Sequence, residues 1–168
     1  MKKIYLFTMF AVFILLCTNR IQAQTTQTGL SQVELMKQLI GTWKSESTKD
    51  TVFTAEFKSY GNGGMEFNLK GVAQGKNWLE VKQLWGYDKK SDKFVVAGLT
   101  KDDPNITLEA SWFTTKNTWE QVPFEFVANP KLATSKVTFE FKSPDSVVRN
   151  QIVNNKTVVT ETYTRVKN

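Results

Sequence analysis

The sequence of 168 residues contains no histidine and a single cysteine, Cys17. Histidine is the commonest general base, the base of catalytic triads, the proximal ligand of haem and a frequent zinc ligand. Cys17 lies in an N-terminal segment that we expect to be removed, so the mature chain would have neither a disulfide nor a thiol nucleophile. These absences argue against the commonest enzyme classes, and we expect no metal, no cofactor and no catalytic residue.

The first 23 residues have the pattern of a secretory signal peptide. Lys2 and Lys3 precede an apolar run from Ile4 to Cys17, and Ala23 supplies a small residue at the expected cleavage position. The run has 14 residues, fewer than the roughly 18–20 that span a bilayer. We therefore expect residues 1–23 to be cleaved on export to the periplasm or the extracellular space, which leaves no stable membrane insertion.

Two alternatives to cleavage stay open. One is an uncleaved anchor formed by the same apolar run. The other is a lipoprotein modified at Cys17, although that modification needs a small residue directly before the cysteine, where Leu16 stands.

Positive charge is modest once the signal segment is set aside. Residues 1–23 hold Lys2, Lys3 and Arg20 and no acidic residue, so their removal lowers the formal charge by three, from +6 to +3. The remaining lysines are scattered and alternate with glutamates, and no basic stripe with stacking aromatics is present. We expect no nucleic-acid partner.

A short helix is predicted at the start of the mature domain, after a disordered segment at 24–30. Ser31 and Glu34 have capping-box spacing, an apolar face follows up to Ile40, and Gly41 suits the left-handed residue after a helix. The rest of the chain alternates apolar and polar residues with period two, as in Phe53, Ala55 and Phe57. Residues 31–168 are therefore predicted to form one domain.

About ten strands are predicted, joined mostly by short turns, which favours neighbouring antiparallel strands. Such a long meander exposes two edges unless it closes. We predict an all-β fold, an antiparallel up-and-down barrel of about 8–10 strands with a short N-terminal capping helix. A two-sheet sandwich is the alternative. Pro123 indicates a bulge or an edge, because proline cannot donate to the sheet.

The residues Leu39-Ile40-Gly41-Thr42-Trp43 carry a resemblance to a known family. A short helix followed by Gly-x-Trp at the first strand of an antiparallel meander resembles the lipocalin and fatty-acid-binding-protein group, the calycins. Arg165 near the end of the last strand strengthens the likeness. The resemblance implies that Arg165 packs over Trp43 as a structural staple and closes one barrel end. The passage from Gly86 to Phe94 is similar to small bacterial lipocalin-like domains of unknown function.

Candidate ligand-binding residues are those that combine a strand position with an aromatic ring or an orienting polar group. Arg149, Tyr163 and Arg165 are the polar candidates, and the aromatic ones are Phe53, Phe57, Phe67, Phe139, Trp85 and Trp112. By parity, Trp78 and Trp85 lie on opposite faces of their strand unless a bulge intervenes. Ordinary core packing for the tryptophans and an outward Arg149 remain the structural alternatives. Most of the glutamates in the strands are expected to point outward, because they alternate with apolar neighbours. These glutamates are Glu56, Glu66, Glu80, Glu109, Glu120 and Glu125.

These observations predict an exported lipocalin-like protein that binds a small apolar or amphipathic ligand in a barrel cavity, without catalysis. A cavity of at least about 300 Å³ with one or two inward polar groups would favour this function. The alternative is a structural or protein-interaction barrel with a filled interior. An isomerase or cyclase of calycin type is a third class, and the sequence leaves the oligomeric state undetermined.

Overall fold

The computed structural model describes residues 29–48 and 50–167. The predicted signal peptide and most of the predicted disordered segment 24–30 lie outside these ranges, although Leu30 packs against the core. Within them, no helix has the length and apolar character that crossing a membrane requires.

The N-terminal helix is shorter and less regular than the sequence predicts. Helix α1 runs over Gln32–Met36 and continues as a 3-10 turn over Lys37–Leu39. Ser31 is the N-cap residue, but its side chain makes no capping hydrogen bond. The predicted capping box is therefore wrong, because the Glu34 carboxylate pairs with the Lys37 ammonium at 2.8 Å, one helical turn along.

Ten antiparallel strands close into a single barrel, in which each strand pairs with its neighbours in sequence and β1 pairs with β10. This confirms the predicted all-β barrel and rules out the sandwich. The strands are β1 Gly41–Thr48, β2 Thr51–Tyr60, β3 Gly64–Ala73, β4 Lys76–Asp88, β5 Lys93–Thr100, β6 Ile106–Phe113, β7 Thr118–Pro123, β8 Ser135–Ser143, β9 Ser146–Val153 and β10 Lys156–Arg165.

Tight turns keep the strands in sequence order. Asn154 and Asn155, between β9 and β10, both have positive φ, 49° and 61°. Two consecutive residues of this kind are what a type I′ hairpin turn requires, and asparagine tolerates that conformation well. Closure of the meander leaves no free sheet edge along the barrel wall.

The helix closes one end of the barrel, which we call the closed end. Gln32 is buried there and exchanges two hydrogen bonds with the backbone of Phe113, with Nε2 donating to the carbonyl at 3.0 Å and Oε1 accepting from the amide at 2.7 Å. Met36, Leu39 and Trp43 are buried in the core beneath the helix, and Leu35 packs against them. The opposite end, where β1 leads to β2 and β3 to β4, is the open end.

Strands β6 and β7 turn apolar residues outward. Ala110, Trp112 and Val122 form a second small core on the outer surface of the barrel. They are covered by the segment between β7 and β8, which folds into 3-10 turns at Phe124–Phe126 and Pro130–Leu132. Strand β7 ends at Pro123, the residue at which the sequence indicates a bulge or an edge, and the chain leaves the sheet there to cover this surface.

Candidate functional site

An internal cavity of about 220 Å³ lies inside the barrel. Its lining is mostly apolar with a few polar side chains: Leu39, Trp43, Ala55, Phe57, Phe67, Leu69, Val81, Gln83, Trp85, Glu109, Trp119, Gln121, Val137, Phe139, Val147, Arg149 and Tyr163. Six of the nine candidate residues from the sequence contribute to this lining, namely Phe57, Phe67, Trp85, Phe139, Arg149 and Tyr163.

The other three candidates lie elsewhere. Trp112 belongs to the outer core, where the Lys93 ammonium sits 5.1 Å from its ring centroid. Phe53 packs near the open end, edge-on against Trp78 at 5.9 Å. Arg165 lies at the closed end, outside the cavity lining.

Arg165 holds the closed end together. Its guanidinium carbon is 4.1 Å from the ring centroid of Trp43. The same guanidinium donates hydrogen bonds to the carbonyls of Gln38, Ile40 and Pro144 at 2.7, 2.6 and 3.2 Å. It therefore ties the helix end and the β8–β9 turn to strand β10, which is an architectural role.

Two groups of aromatic rings wall the cavity. On one side, Phe57 packs against Phe67 with centroids 4.6 Å apart and meets Trp85 edge-on at 6.1 Å. On the other, Trp119 and Phe139 stack with centroids 4.1 Å apart and planes within 6°. All five rings line the cavity, so an apolar or ring-bearing ligand would contact mostly aromatic surface there.

A partly buried ion pair contributes the cationic part of the lining. Arg149 and Glu161 are direct cross-strand neighbours on β9 and β10, and Nη1 of the arginine lies 3.0 Å from Oε2 of the glutamate. The Tyr163 hydroxyl donates to the same oxygen at 3.3 Å. Burial, and secondly the negative charge of Glu161, raise the pKa of Tyr163, so the phenol stays a neutral donor.

A second polar group is built around Glu109. The Nε2 atom of Gln121 donates to its Oε2 atom, and Nε2 of Gln83 approaches the same oxygen at 3.5 Å. Trp85 extends this chain by donating from Nε1 to Oε1 of Gln83 at 3.0 Å. Burial raises the pKa of Glu109, and the Gln121 hydrogen bond and the Arg149 charge offset only part of that effect.

Trp119 adds a donor without a protein partner. Its indole Nε1 is buried and makes no hydrogen bond within the described residues. A buried N–H without a partner costs roughly 1–3 kcal/mol. Trp119 lines the cavity, so a water molecule beside a ligand would be enough to accept a hydrogen bond from this atom.

The open end carries Trp78. The register of β3 and β4 shifts between Gly71 and Val72, which makes Trp78 the extra residue of a bulge. A Cβ atom on Gly71 would lie 3.1 Å from the ring of Phe53 and 3.2 Å from that of Trp78. Glycine therefore leaves room for both rings, and the bulge places Trp78 beside Phe53 at the rim, where it stays 56% exposed and outside the cavity lining.

Sequence reasoning missed Glu109, Gln83 and Gln121, which are connected by hydrogen bonds in the structure. On β6 the apolar residues Leu108, Ala110 and Trp112 alternate with Glu109, which by pattern predicts an outward glutamate. The expected outward position of Glu109 is wrong, because the segment after β7 buries Ala110 and Trp112 from outside. The sequence signal for a segment that covers the outer face of β6 was the long connection before β8.

No protein-family model matches the chain, and comparison with curated proteins finds no match either. The likeness to the calycin group therefore rests on the closed antiparallel barrel and the residues at its closed end.

Proposed function

We propose that this chain is an exported, lipocalin-like protein that binds a small apolar or amphipathic ligand inside its barrel, without catalysis. The observation that carries the proposal is the internal cavity, with aromatic rings on two sides and polar side chains grouped within it. Ligand sites in proteins usually combine these features, an apolar wall with a few placed polar groups.

The volume of the cavity limits the size of the ligand that can bind. At about 220 Å³ it is smaller than the 300 Å³ set as the criterion above. A compact molecule, such as a single substituted ring, fits this space better than a long acyl chain. The polar groups would orient one end of the ligand, and the stacked and edge-on rings would hold its body.

Export and the lipocalin-like relationship rest on the sequence. The charged start, the apolar run and Ala23 support cleavage of residues 1–23. Gly41, Trp43 and Arg165 support the relationship, since they hold the closed end as the resemblance implies. Intact mass of the exported protein tests the first point: a species starting at Gln24 supports it, and one that retains Met1 or a lipid on Cys17 contradicts it.

Tryptophan fluorescence offers a direct test of binding, because Trp85 and Trp119 line the cavity. A panel of small aromatic and amphipathic compounds should quench the emission, with isothermal titration calorimetry as confirmation. Trp119→Phe should lose part of the ligand-induced quenching, whereas Trp112→Phe, on the outer core, should keep all of it. If no compound in a broad panel binds, the proposal fails.

A protein-interaction barrel is the second candidate, and one observation favours it. Leu84, Ala97 and Leu108 are cross-strand neighbours on the outer surface of β4, β5 and β6, and both leucines are about half exposed, at 51% each. An uncharged aliphatic row of this kind is self-complementary across a two-fold axis. Sedimentation velocity on wild type and on the Leu84→Ser, Leu108→Ser double variant tests it: loss of a dimer supports self-association, and a monomeric wild type rejects it.

A further inference from the structure

The charged groups in and beside the cavity carry more negative than positive charge. Glu109 and Arg149 are the charged side chains in the lining, and Glu161 pairs with Arg149 from the neighbouring strand. With all three ionised, two carboxylates face one guanidinium. Within the described residues, no lysine or arginine lies within 4 Å of the Glu109 carboxylate, whereas Arg149 already has a carboxylate at 3.0 Å.

The hydrogen bonds leave acceptors of Glu109 and Gln121 unused. Both glutamine amides that reach Glu109 use its Oε2 atom, and Oε1 of Glu109 accepts no hydrogen bond from the described residues. Oε1 of Gln121 also accepts none. The region around Glu109 therefore offers a carboxylate oxygen and an amide oxygen to whatever enters the cavity, and both are acceptors that complement an N–H group.

The aromatic walls favour a cation for an independent reason. The faces of tryptophan and phenylalanine rings carry negative potential and attract organic cations, with the strongest effect where water is excluded. Trp85 belongs to the cavity wall and is itself hydrogen-bonded to Gln83, the residue that reaches Glu109. Aromatic surface and the unpaired carboxylate therefore belong to one connected group of residues.

An anionic ligand is disfavoured by the same arrangement. The negative group of such a ligand would have to bind Arg149, whose guanidinium is already paired with the Glu161 carboxylate. The carboxylate of Glu109 would also repel an anionic ligand at short range. A carboxylate ligand would therefore gain little from Arg149, the only cationic side chain that the described residues contribute to the lining.

We propose that the cavity selects a small aromatic or aliphatic amine, whose ammonium group binds Oε1 of Glu109 and whose apolar body packs between the two aromatic walls. This inference rests on the proposed binding function and specifies its ligand class. The amine enters as a cation and leaves as one, so no bond to the protein is made or broken.

Three ligands of matched size and different charge test the inference by calorimetry at pH 7: 2-phenylethylamine, 2-phenylethanol and phenylacetate. The amine is expected to bind at least about tenfold more tightly than the carboxylate, with the alcohol between them. Glu109→Gln is expected to lower the affinity for the amine by about tenfold or more and to change the affinity for the alcohol by no more than about twofold. Glu120→Gln is the matched control. It removes a carboxylate on β7 that pairs with Lys136 at 3.1 Å and lies outside the cavity lining. This change should alter neither the affinity for the amine nor that for the alcohol.

The outcomes separate the two proposals. If phenylacetate or the alcohol binds more tightly than the amine, or if Glu109→Gln leaves the amine affinity unchanged, the cation inference is wrong while the binding function stands. If none of these three and none of the wider panel binds, both are wrong. Near-UV circular dichroism of Glu109→Gln shows whether its barrel is folded. Should that variant be unfolded, the order of the three affinities on the wild-type protein alone decides the inference.

Discussion

The central carbon of the Arg165 guanidinium lies over the indole of Trp43, 4.1 Å from the ring centroid. Trp43 is 2% exposed, and its Nε1 donates to the carbonyl of Leu39 at 2.8 Å. The two residues are also paired across β1 and β10, the seam at which the barrel closes. The Trp43 indole therefore contacts both the end of the helix and the β1–β10 pairing that closes the barrel.

Replacing Trp43 by alanine is expected to lower the free energy of unfolding by about 3–5 kcal/mol, because it empties a large buried volume at this seam. Urea denaturation followed by circular dichroism measures the loss. Trp43→Phe keeps most of the buried ring and should lose clearly less. A near-neutral Trp43→Ala would contradict the role given to this residue.

Gly41 is required at the start of β1 for two reasons. Its φ of +127° is one that side chains with a Cβ rarely adopt, and a Cβ there would lie 2.8 Å from Nη1 of Arg165. Gly41→Ala is therefore expected to lower the free energy of unfolding by about 1–3 kcal/mol. Gly63→Ala, in open space with nothing within 4 Å, serves as the control and should cost less than about 1 kcal/mol. Equal effects of the two changes in urea denaturation would count against this explanation.

Arg149→Ala tests the partly buried ion pair between Arg149 and Glu161. Without the arginine, the partly buried Glu161 carboxylate keeps only the Tyr163 hydroxyl as a side-chain hydrogen-bond donor among the described residues. Removal of one partner of a buried pair typically costs about 3–5 kcal/mol, and we expect the lower end here because the arginine side chain is 25% exposed.

The matched control for this change is an exposed pair. Lys142 and Glu140 lie 2.7 Å apart with both side chains about half exposed, so Lys142→Ala should cost less than about 1 kcal/mol. Thermal or urea unfolding compares the two variants. Adding Glu161→Gln to Arg149→Ala should recover part of the loss, and no recovery would mean that the cost arises from packing and not from the stranded charge.

The closed end was predictable from sequence because its signals are local. Helix, Gly41 and Trp43 follow one another within a dozen residues, and strand alternation marked Phe57, Phe67 and Phe139 as inward. The ten-strand barrel followed from the turns, since short connections force neighbouring strands to pair.

The polar centre of the cavity was not predictable, because its signals are not local. Glu109 faces inward only because residues 124–133 cover Ala110 and Trp112 from outside, a tertiary contact that reverses the pattern of β6. Trp78 lies beside Phe53 at the rim because of a one-residue bulge, which parity alone does not reveal. In both places the alternation rule fails where a neighbouring segment decides which face is buried.

The pH dependence of stability gives a last test of Glu109. Burial raises the pKa of this carboxyl above its usual 4.5, so the folded protein holds the proton more tightly than the unfolded chain. The stability that the neutral carboxyl provides is therefore fully present below about pH 4.5 and is lost as the pH rises through the raised value.

Glu109→Gln keeps a neutral side chain of nearly the same shape at every pH and can still accept the Gln121 hydrogen bond. We expect its free energy of unfolding to match that of the wild type at pH 4 and to exceed it at pH 8, as measured by urea denaturation. Glu120→Gln, whose carboxylate is half-buried beside Lys136, should show no such gain at pH 8. A variant less stable than the wild type at pH 8 would mean that Glu109 is held as a favourable charge by the protein itself. A gain would identify a carboxylate that lowers stability while the cavity is empty, which is expected of a group whose partner is the ligand.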